Sequence, residues 1–523
     1  MGKHHDHGHD LISKIHSNKT NEFTFGIERY RFDSVPDDDD TAQARIALRS
    51  SPDGEAELIA MGDALAYQMR YNDALVYYEK AKRLYPDSYL AHRKCAVRYM
   101  SVLDISRAEA ELLWCLARCT DKLDVRYLLA LCKFYSARYA EAKDIFMDCY
   151  PLAEGNGEMY IALIYWHLLC SVRLDEDVAD ALSRYSDTLD CGHHFGYEKT
   201  VRLFATDGAD SDPVFDDDLN ASIFHYGAHA YYLYKGDTAR AAAELDKAYA
   251  YDKYFSSFAY LGIYLDKLAK DCAEKENALR GYFTRNQKLA VAFSGGVDSV
   301  YLCHAAKSCG ADVKAYFVNS EFQPECELED AVKLADRIGV ELEILNVGVC
   351  GDERIAANAP DRCYHCKSKL FLAIAKAADG DGYTVIADGT NASDDLSDRP
   401  GMRAVRERGV VSPLLECGLT KTEIRYLCKK VGLPVWDKPS YSCLATRIAS
   451  GERITRDKLK KIESAEKILF ARGYRNFRVR CKGDCALLEI ARAQENKFQE
   501  EKQEILNELT DIFGEAKKSE VLR

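Results

Sequence analysis

Three places in this 523-residue sequence combine residue types and spacing that can do chemistry. The first is RCYHCKSKLF, Arg362 to Phe371, where Cys363 and Cys366 form a CxxC around His365. A CxxC serves as a zinc half-site, a redox couple, a pair of iron–sulfur ligands, or one face of ordinary buried cysteines. Its own spacing does not choose among these. The second is SGGVDS, Ser294 to Ser299. Gly295 and Gly296 let the backbone wrap phosphate oxygens, and a following helix N-terminus adds N–H donors and a positive dipole end. Ser294 and Ser299 add hydroxyl donors. No lysine follows as in GxxxxGK[ST], so this is not a Walker A loop. The third is Cys443, in SYSCLATRI.

These residues need elements to place them. KLAVAF, from Lys288, is a short apolar strand-like run ahead of SGGVDS, and SVYLCHAAKSCG after it has a helical texture. VKAYFVN, ELEDAVKLADRIG and ELEILNVG continue the alternation. Alternating strands and helices predict a parallel, doubly wound α/β sheet, with ligands at the carboxyl ends of its strands. SGGVDS falls at such an end.

The N-terminal half has a different texture. From Ala56 to Ser88, the residues Gly62, Ala74, Tyr78, Ala81 and Pro86 match the small, small, aromatic, small and proline positions of a tetratricopeptide repeat. A shift of about 34 residues, that repeat's period, carries Ala74 to Ala108 and Ala142. A further unit starts at Tyr232, after an acidic loop at 209–218. An α-helical solenoid is therefore expected at 50–272, a nucleotide-binding α/β domain at 282–450, and a small α+β extension at 451–523. Such a solenoid implies a protein partner on its concave face, with self-association into a homo-oligomer as the alternative. Residues 1–49 read as a flexible segment. Its histidines His4, His5, His7 and His9 read as a tail without fixed geometry, metal binding being the alternative. VPDDDD, Val35 to Asp40, reads as a solvated linker.

Composition narrows the classes. The chain is 47% hydrophobic and 30% charged with a net charge of −13, most of the excess acid lying before about residue 280. That argues against a nucleic-acid surface. No run is apolar enough to span a bilayer, and the start is too polar for a signal peptide. Nineteen cysteines without such a signal point to a reducing cytoplasm.

SGGVDS, standing after a strand and before a helix, resembles the PP-loop of ATP pyrophosphatases. NAPDRCYHCKSKLF, IADGTNASDD, RPGMRAVRERGVVSPL and WDKPSYSCLATRI join it in a resemblance to the LarE family over about residues 282–500. The repeat half lies outside that resemblance. LarE is a sulfur transferase of nickel-pincer cofactor synthesis for lactate racemase-type enzymes. The resemblance implies that ATP adenylates a carboxylate of a pyridinium dicarboxylate mononucleotide, and that a sulfur then displaces AMP to leave a thiocarboxylate. It implies ATP binding by Ser294, Gly295, Gly296, Val297, Asp298, Ser299, Asp388 and Gly389, with Asp298 organising Mg2+. It implies binding of the substrate by Arg447, Arg478 and Arg480, with Glu489 at a further acidic position of the family.

Cys443 matches the sulfur-donating cysteine of single-cysteine members. Cys363, Cys366 and Cys443 together match a three-cysteine subgroup in which the three thiolates hold a 4Fe–4S cluster and leave one iron open. Against zinc stands the usual need for four protein ligands, which His365, inside the CxxC, is badly placed to complete. Cluster-borne sulfide and a sacrificial Cys443 both remain open. Cys481 and Cys485 read as small residues on paired strands. The rival readings are a PP-loop tRNA thiolase, an amidotransferase of the NAD- or GMP-synthetase kind, and a repeat adaptor with a non-catalytic nucleotide domain.

Overall fold

The structure, a computed structural model, describes residues 38–120, 122–209, 213–394, 400–491 and 494–519. The N-terminal histidine tract lies outside the described residues. The chain divides into two compact units between Lys270 and Asp271.

The first unit is helical. Its helices include Glu55–Tyr67, Tyr71–Leu84, Tyr89–Ser101, Ile105–Leu116, Leu123–Tyr135 and Tyr139–Cys149, each packed on the next. The small positions explain the packing. A Cβ on Gly62 would stand 2.4 Å from the ring of Tyr78, so one helix leaves room for the aromatic of its neighbour. Ala74, Ala108 and Ala142 are all fully buried. The turns repeat as well: Met69, Leu103 and Ala137, 34 residues apart, share a left-handed φ near +60°. The chain's own segment at 255–258 lies on these helices. Tyr71 donates a 2.8 Å hydrogen bond to Ser256 Oγ, and Tyr135 a 2.7 Å bond to the Phe258 carbonyl. In the part of the acidic run that is described, Asp38 accepts from Thr41 N at 2.8 Å and caps the helix Asp39–Ser50. An aspartate at the N-cap and two more in the first turn suit the unpaired N–H groups and the dipole there.

The second unit contains the expected parallel sheet. Its strands are β1 (Lys288–Ala292), β2 (Asp312–Asn319), β3 (Glu341–Asn346) and β4 (Ile386–Ala387), in the order β3-β2-β1-β4. All neighbours are parallel, with Val291 opposite both Ala315 and Ala387. β4 is short, but Val411 extends its edge by donating N–H to the Ile386 carbonyl at 2.9 Å. The order reverses at β1: β2 and β3 grow to one side and β4 adds to the other. Right-handed crossovers then place the following helices on opposite faces. One face packs Ala290 and Tyr316 against Phe371 and Ile374 of the helix Arg362–Gly380.

The C-terminal extension has a sheet of its own: β5 (Arg478–Lys482) and β6 (Cys485–Glu489) antiparallel, then β7 (Glu515–Lys518) parallel to β6. Its helices Arg456–Ala471 and Glu495–Phe513 bury Leu459, Ile462, Leu469, Ile505 and Leu509 against it. The same apolar cluster takes in Phe322 and Val349, from the loops that leave β2 and β3, and Leu444 beside Cys443. The extension is therefore packed at the carboxyl end of the first sheet. Among the described residues, no helix is long and apolar enough to cross a membrane.

Candidate active site

Two loops flank the point where the strand order reverses, the place where parallel sheets open a ligand crevice. The loop after β1 is SGGVDS. Gly295 has φ +70°, and a Cβ there would stand 3.1 Å from the Ala331 Cα, so both conformation and space call for glycine. Ser299 Oγ accepts from Ser294 N and donates to the Gly296 carbonyl, each at 3.2 Å, which closes the loop on the helix Val297–Ser308. No side chain caps that helix, leaving its first turn open toward an anion.

The loop after β4 meets it. A Cβ on Gly389 would lie 3.0 Å from Asp298 Cβ and from Ser299 N, so glycine lets the two loops approach without crowding. Asp388 is buried and organises its own loop, accepting from Thr390 Oγ1 and Ser412 Oγ at 2.7 Å each. Asn391 Nδ2 donates to Asp298 Oδ1 at 3.3 Å, and Lys421 pairs with the other Asp298 oxygen. Burial pushes the Asp298 carboxyl up, and Lys421 pulls it back.

Sequence reasoning missed two lysines here. Lys421 is the first residue of the helix Lys421–Lys430, which Thr420 and Glu423 start as a capping box. Lys438 lies 3.5 Å from the Gly295 carbonyl and pairs with Asp330 at 2.9 Å and Glu327 at 3.2 Å. The signal was indirect: a phosphate loop without its own lysine takes its cations from elsewhere in the chain.

The cysteines come together from separate elements. Cys363 and Cys366 lie about one turn apart at the start of the helix Arg362–Gly380, Cys363 exposed and Cys366 half-buried. Cys443 precedes the short 3-10 turn Leu444–Arg447, and Leu444 N donates to the Phe322 carbonyl at 2.9 Å. Burial pushes the Cys366 thiol up to about 12, and the nearby Cys443 and Cys363 add to the rise. Burial also raises Cys443, against the pull of Arg362. Arg362 joins the two segments, its Nη2 3.5 Å from Cys363 Sγ and its Nη1 donating to the Ala445 carbonyl two residues past Cys443. His365 turns to Asp361, its Nε2 3.2 Å from the carboxylate. Among the described residues, no three His, Cys, Asp or Glu side chains are set to hold a single metal ion. Three cysteines are the donor chemistry by which an iron–sulfur cluster is held, one thiolate to each of three irons.

The arginines divide. Arg447 is enclosed: Nε donates to Glu466 Oε1 at 2.9 Å, and Nη1 to the Ser442 carbonyl at 2.8 Å and Thr446 Oγ1 at 2.9 Å. It therefore braces the Cys443 turn. Arg480 pairs with buried Glu489 and reaches the Thr446 carbonyl at 3.2 Å. Among the described residues, the Arg478 guanidinium has one weak contact, 3.4 Å to Ser442 Oγ, and its buried Nε meets no hydrogen-bond partner. Burial and the adjacent Arg447 and Arg480 guanidiniums hold Arg478 below arginine's ordinary value. A half-buried cation with an unmet donor beside two others suits an anionic ligand. Glu466 was also missed. It accepts from Arg447, Tyr441 and Val479 N, joining both flanks of Cys443 to β5. Its place on the apolar face of its helix, seven residues after Leu459, was the readable signal. Cys481 stands opposite Ala486 and Lys482 opposite Cys485 in the hairpin.

The parallel sheet, the glycine loop at its reversal point and the second loop closing on it define a PP-loop ATP pyrophosphatase domain. No family model matches the chain. It is 38% identical over 238 residues to an uncharacterized protein of Synechocystis, covering 45% of this chain and 87% of that protein. It is 32% identical over 214 residues to the pyridinium-3,5-bisthiocarboxylic acid mononucleotide synthase of Lactiplantibacillus plantarum, covering 40% of this chain and 78% of the synthase. A GMP synthase of Aeropyrum pernix is 30% identical, with 39% of its length covered. The chain belongs to the family of that mononucleotide synthase.

Proposed function

We propose that this chain is an ATP-dependent sulfur transferase that converts a carboxylate of a pyridinium dicarboxylate mononucleotide to a thiocarboxylate, for the nickel-pincer cofactor. The observation that carries this reading is the gathering of the Cys363–Cys366 turn and the Cys443 segment, which Arg362 joins by its contacts with Cys363 Sγ and the Ala445 carbonyl. Lys438 contacts Gly295, and Cys443 is five residues on, within about 18 Å of extended chain.

In this reading the SGGVDS amides and hydroxyls hold the pyrophosphate of ATP, with Gly389 closing the loop and Asp298 holding Mg2+. Lys421 and Lys438 neutralise the charge. The substrate carboxylate oxygen attacks the α-phosphorus and pyrophosphate leaves. A sulfur nucleophile then attacks the acyl carbon, and the carbon–oxygen bond to AMP breaks. Adenylation is needed because a carboxylate carries no good leaving group. Arg478 and Arg480 bind the substrate phosphate, and Arg447 keeps Cys443 in place. Cys363, Cys366 and Cys443 would hold a 4Fe–4S cluster, which supplies an iron position open to exchangeable sulfide.

The helical unit is proposed as a tetratricopeptide-like module for a protein partner, and the chain as cytoplasmic. With residues 255–258 lying on Tyr71 and Tyr135, a partner would use the remaining surface.

The test is anaerobic reconstitution with iron and sulfide, followed by ATP, Mg2+ and the dicarboxylate mononucleotide. Thiocarboxylate formed together with AMP is expected; its absence sinks the substrate assignment. Protein mass after turnover identifies the sulfur source. An unchanged mass with repeated turnover supports the cluster, whereas loss of the elements of hydrogen sulfide from Cys443 shows a sacrificed side chain.

A further inference from the structure

One side chain links the two cysteine-bearing segments. Asn358 is buried and holds φ +56°, a left-handed conformation that asparagine tolerates better than most residues. Its Nδ2 donates to the Ala449 carbonyl at 2.8 Å and the Glu452 carbonyl at 3.0 Å, with Ile448 O at 3.5 Å. Its own carbonyl accepts from Gly451 N at 2.9 Å. The segment that leaves Cys443 is thereby fastened to the turn before Cys363. On its other side, Asn358 Oδ1 accepts from Arg362 Nη1 at 2.6 Å. The same Nη1 donates to the Ala445 carbonyl, two residues past Cys443, at 3.0 Å, and Arg362 Nη2 lies 3.5 Å from Cys363 Sγ. A single carboxamide thus holds the guanidinium that touches both cysteine segments.

We infer that Asn358 is a positioning residue for the sulfur chemistry proposed above: through Arg362 it keeps the Cys363 turn and the Cys443 segment at one separation. The inference rests on that proposal for its consequence and on the hydrogen bonds for its geometry. Both carbonyl acceptors of Nδ2 and the Ala445 acceptor of Arg362 are backbone groups, so these contacts depend on Asn358 and Arg362, while the Arg453–Glu353 ion pair and the bond from Ile454 N to the Ala356 carbonyl tie the later part of the segment. Aspartate in place of Asn358 would keep an acceptor for Arg362 and lose both N–H donors, turning a carboxylate toward two carbonyls. That change separates the fastening from the guanidinium contact.

The experiment reads geometry and turnover separately. Metal-free, full-length protein is treated with dibromobimane, in which a thiolate displaces bromide at each of two carbons. The tryptic peptides carrying Cys363 and Cys443 are then followed by mass spectrometry. Wild type is expected to give the bridged pair. Asn358→Asp and Arg362→Gln should each lower the bridged yield about tenfold, since small misplacements are costly to such couplings. Thiocarboxylate formation should fall about tenfold or more in kcat, with the KM for ATP unchanged. Bridging at wild-type yield in both variants overturns the inference, and so does its absence from wild type. If Asn358→Asp does not fold, Arg362→Gln, on a half-exposed side chain, decides the matter alone. Bridging is read without substrate, so it stands or falls even if the chain makes another product.

Discussion

Arg447 and Glu466 form an enclosed ion pair, their side chains 1% and 2% exposed and Nε 2.9 Å from Oε1. Glu466 also receives Tyr441 and the backbone of β5, so the pair clamps both sides of the Cys443 turn. Removing one partner leaves an uncompensated buried charge. Glu466→Ala is expected to destabilise the second unit by about 3–5 kcal/mol. The double replacement Arg447→Met with Glu466→Leu should recover most of the loss. Hydrogen exchange of peptides from residues 441–489 across a urea series checks both.

Gly389 touches the start of the helix that follows SGGVDS. Gly389→Ala pushes a methyl onto Asp298 and the Ser299 amide, overpacking that costs about 1–3 kcal/mol. The expected result is weaker ATP binding by isothermal titration calorimetry with unchanged secondary structure. Wild-type affinity would show that the two loops do not close on the nucleotide together.

Cys363 and Cys366 should separate in their reactivity. The Cys366 thiol, pushed up to about 12 by burial, ionises only as pH climbs toward that value. In the metal-free protein its alkylation by iodoacetamide should rise about tenfold per pH unit from about pH 8 to 11. Cys363 is exposed and should be modified first at the low end of that series. Peptide mass mapping across the pH series gives both rates.

Arg478 keeps a buried, unmet Nε beside the guanidiniums of Arg447 and Arg480. Arg478→Met should raise the KM for the phosphorylated substrate by the worth of a charged hydrogen bond, about 1.5–3 kcal/mol. The unliganded unit should lose no stability, because like-charge repulsion is relieved. Steady-state kinetics and a thermal melt of the same sample test the pair of outcomes. A lower melting temperature with unchanged KM would falsify the anion-site reading.

Much of this arrangement is written in local sequence. The strand-like KLAVAF, the glycines of SGGVDS and the alternation after it determine β1, its turn and the parallel sheet, because apolar runs and glycine conformations act over a few residues. The spacing of Gly62, Ala74, Tyr78 and Ala81 likewise determines the helix pairs, since a small residue facing an aromatic is a local requirement. The capped start at Asp39 was legible in principle, but an acidic run reads as solvated until the helix after it is seen.

Tertiary structure decided the rest. Lys421 and Lys438 stand far along the chain from the loop they serve. Glu466 and Asn358 look ordinary in sequence, yet each holds backbone from remote segments. Arg447 has the motif position of a ligand-binding residue but is enclosed by the fold. Cys363 follows β3 and Cys443 lies beyond β4, strands at opposite edges of the sheet, and their segments meet only through long-range contacts such as that of Arg362 with the Ala445 carbonyl. Residue type and short-range pattern set what each segment can form; burial and long-range hydrogen bonding set which charges are paired and which remain for a ligand.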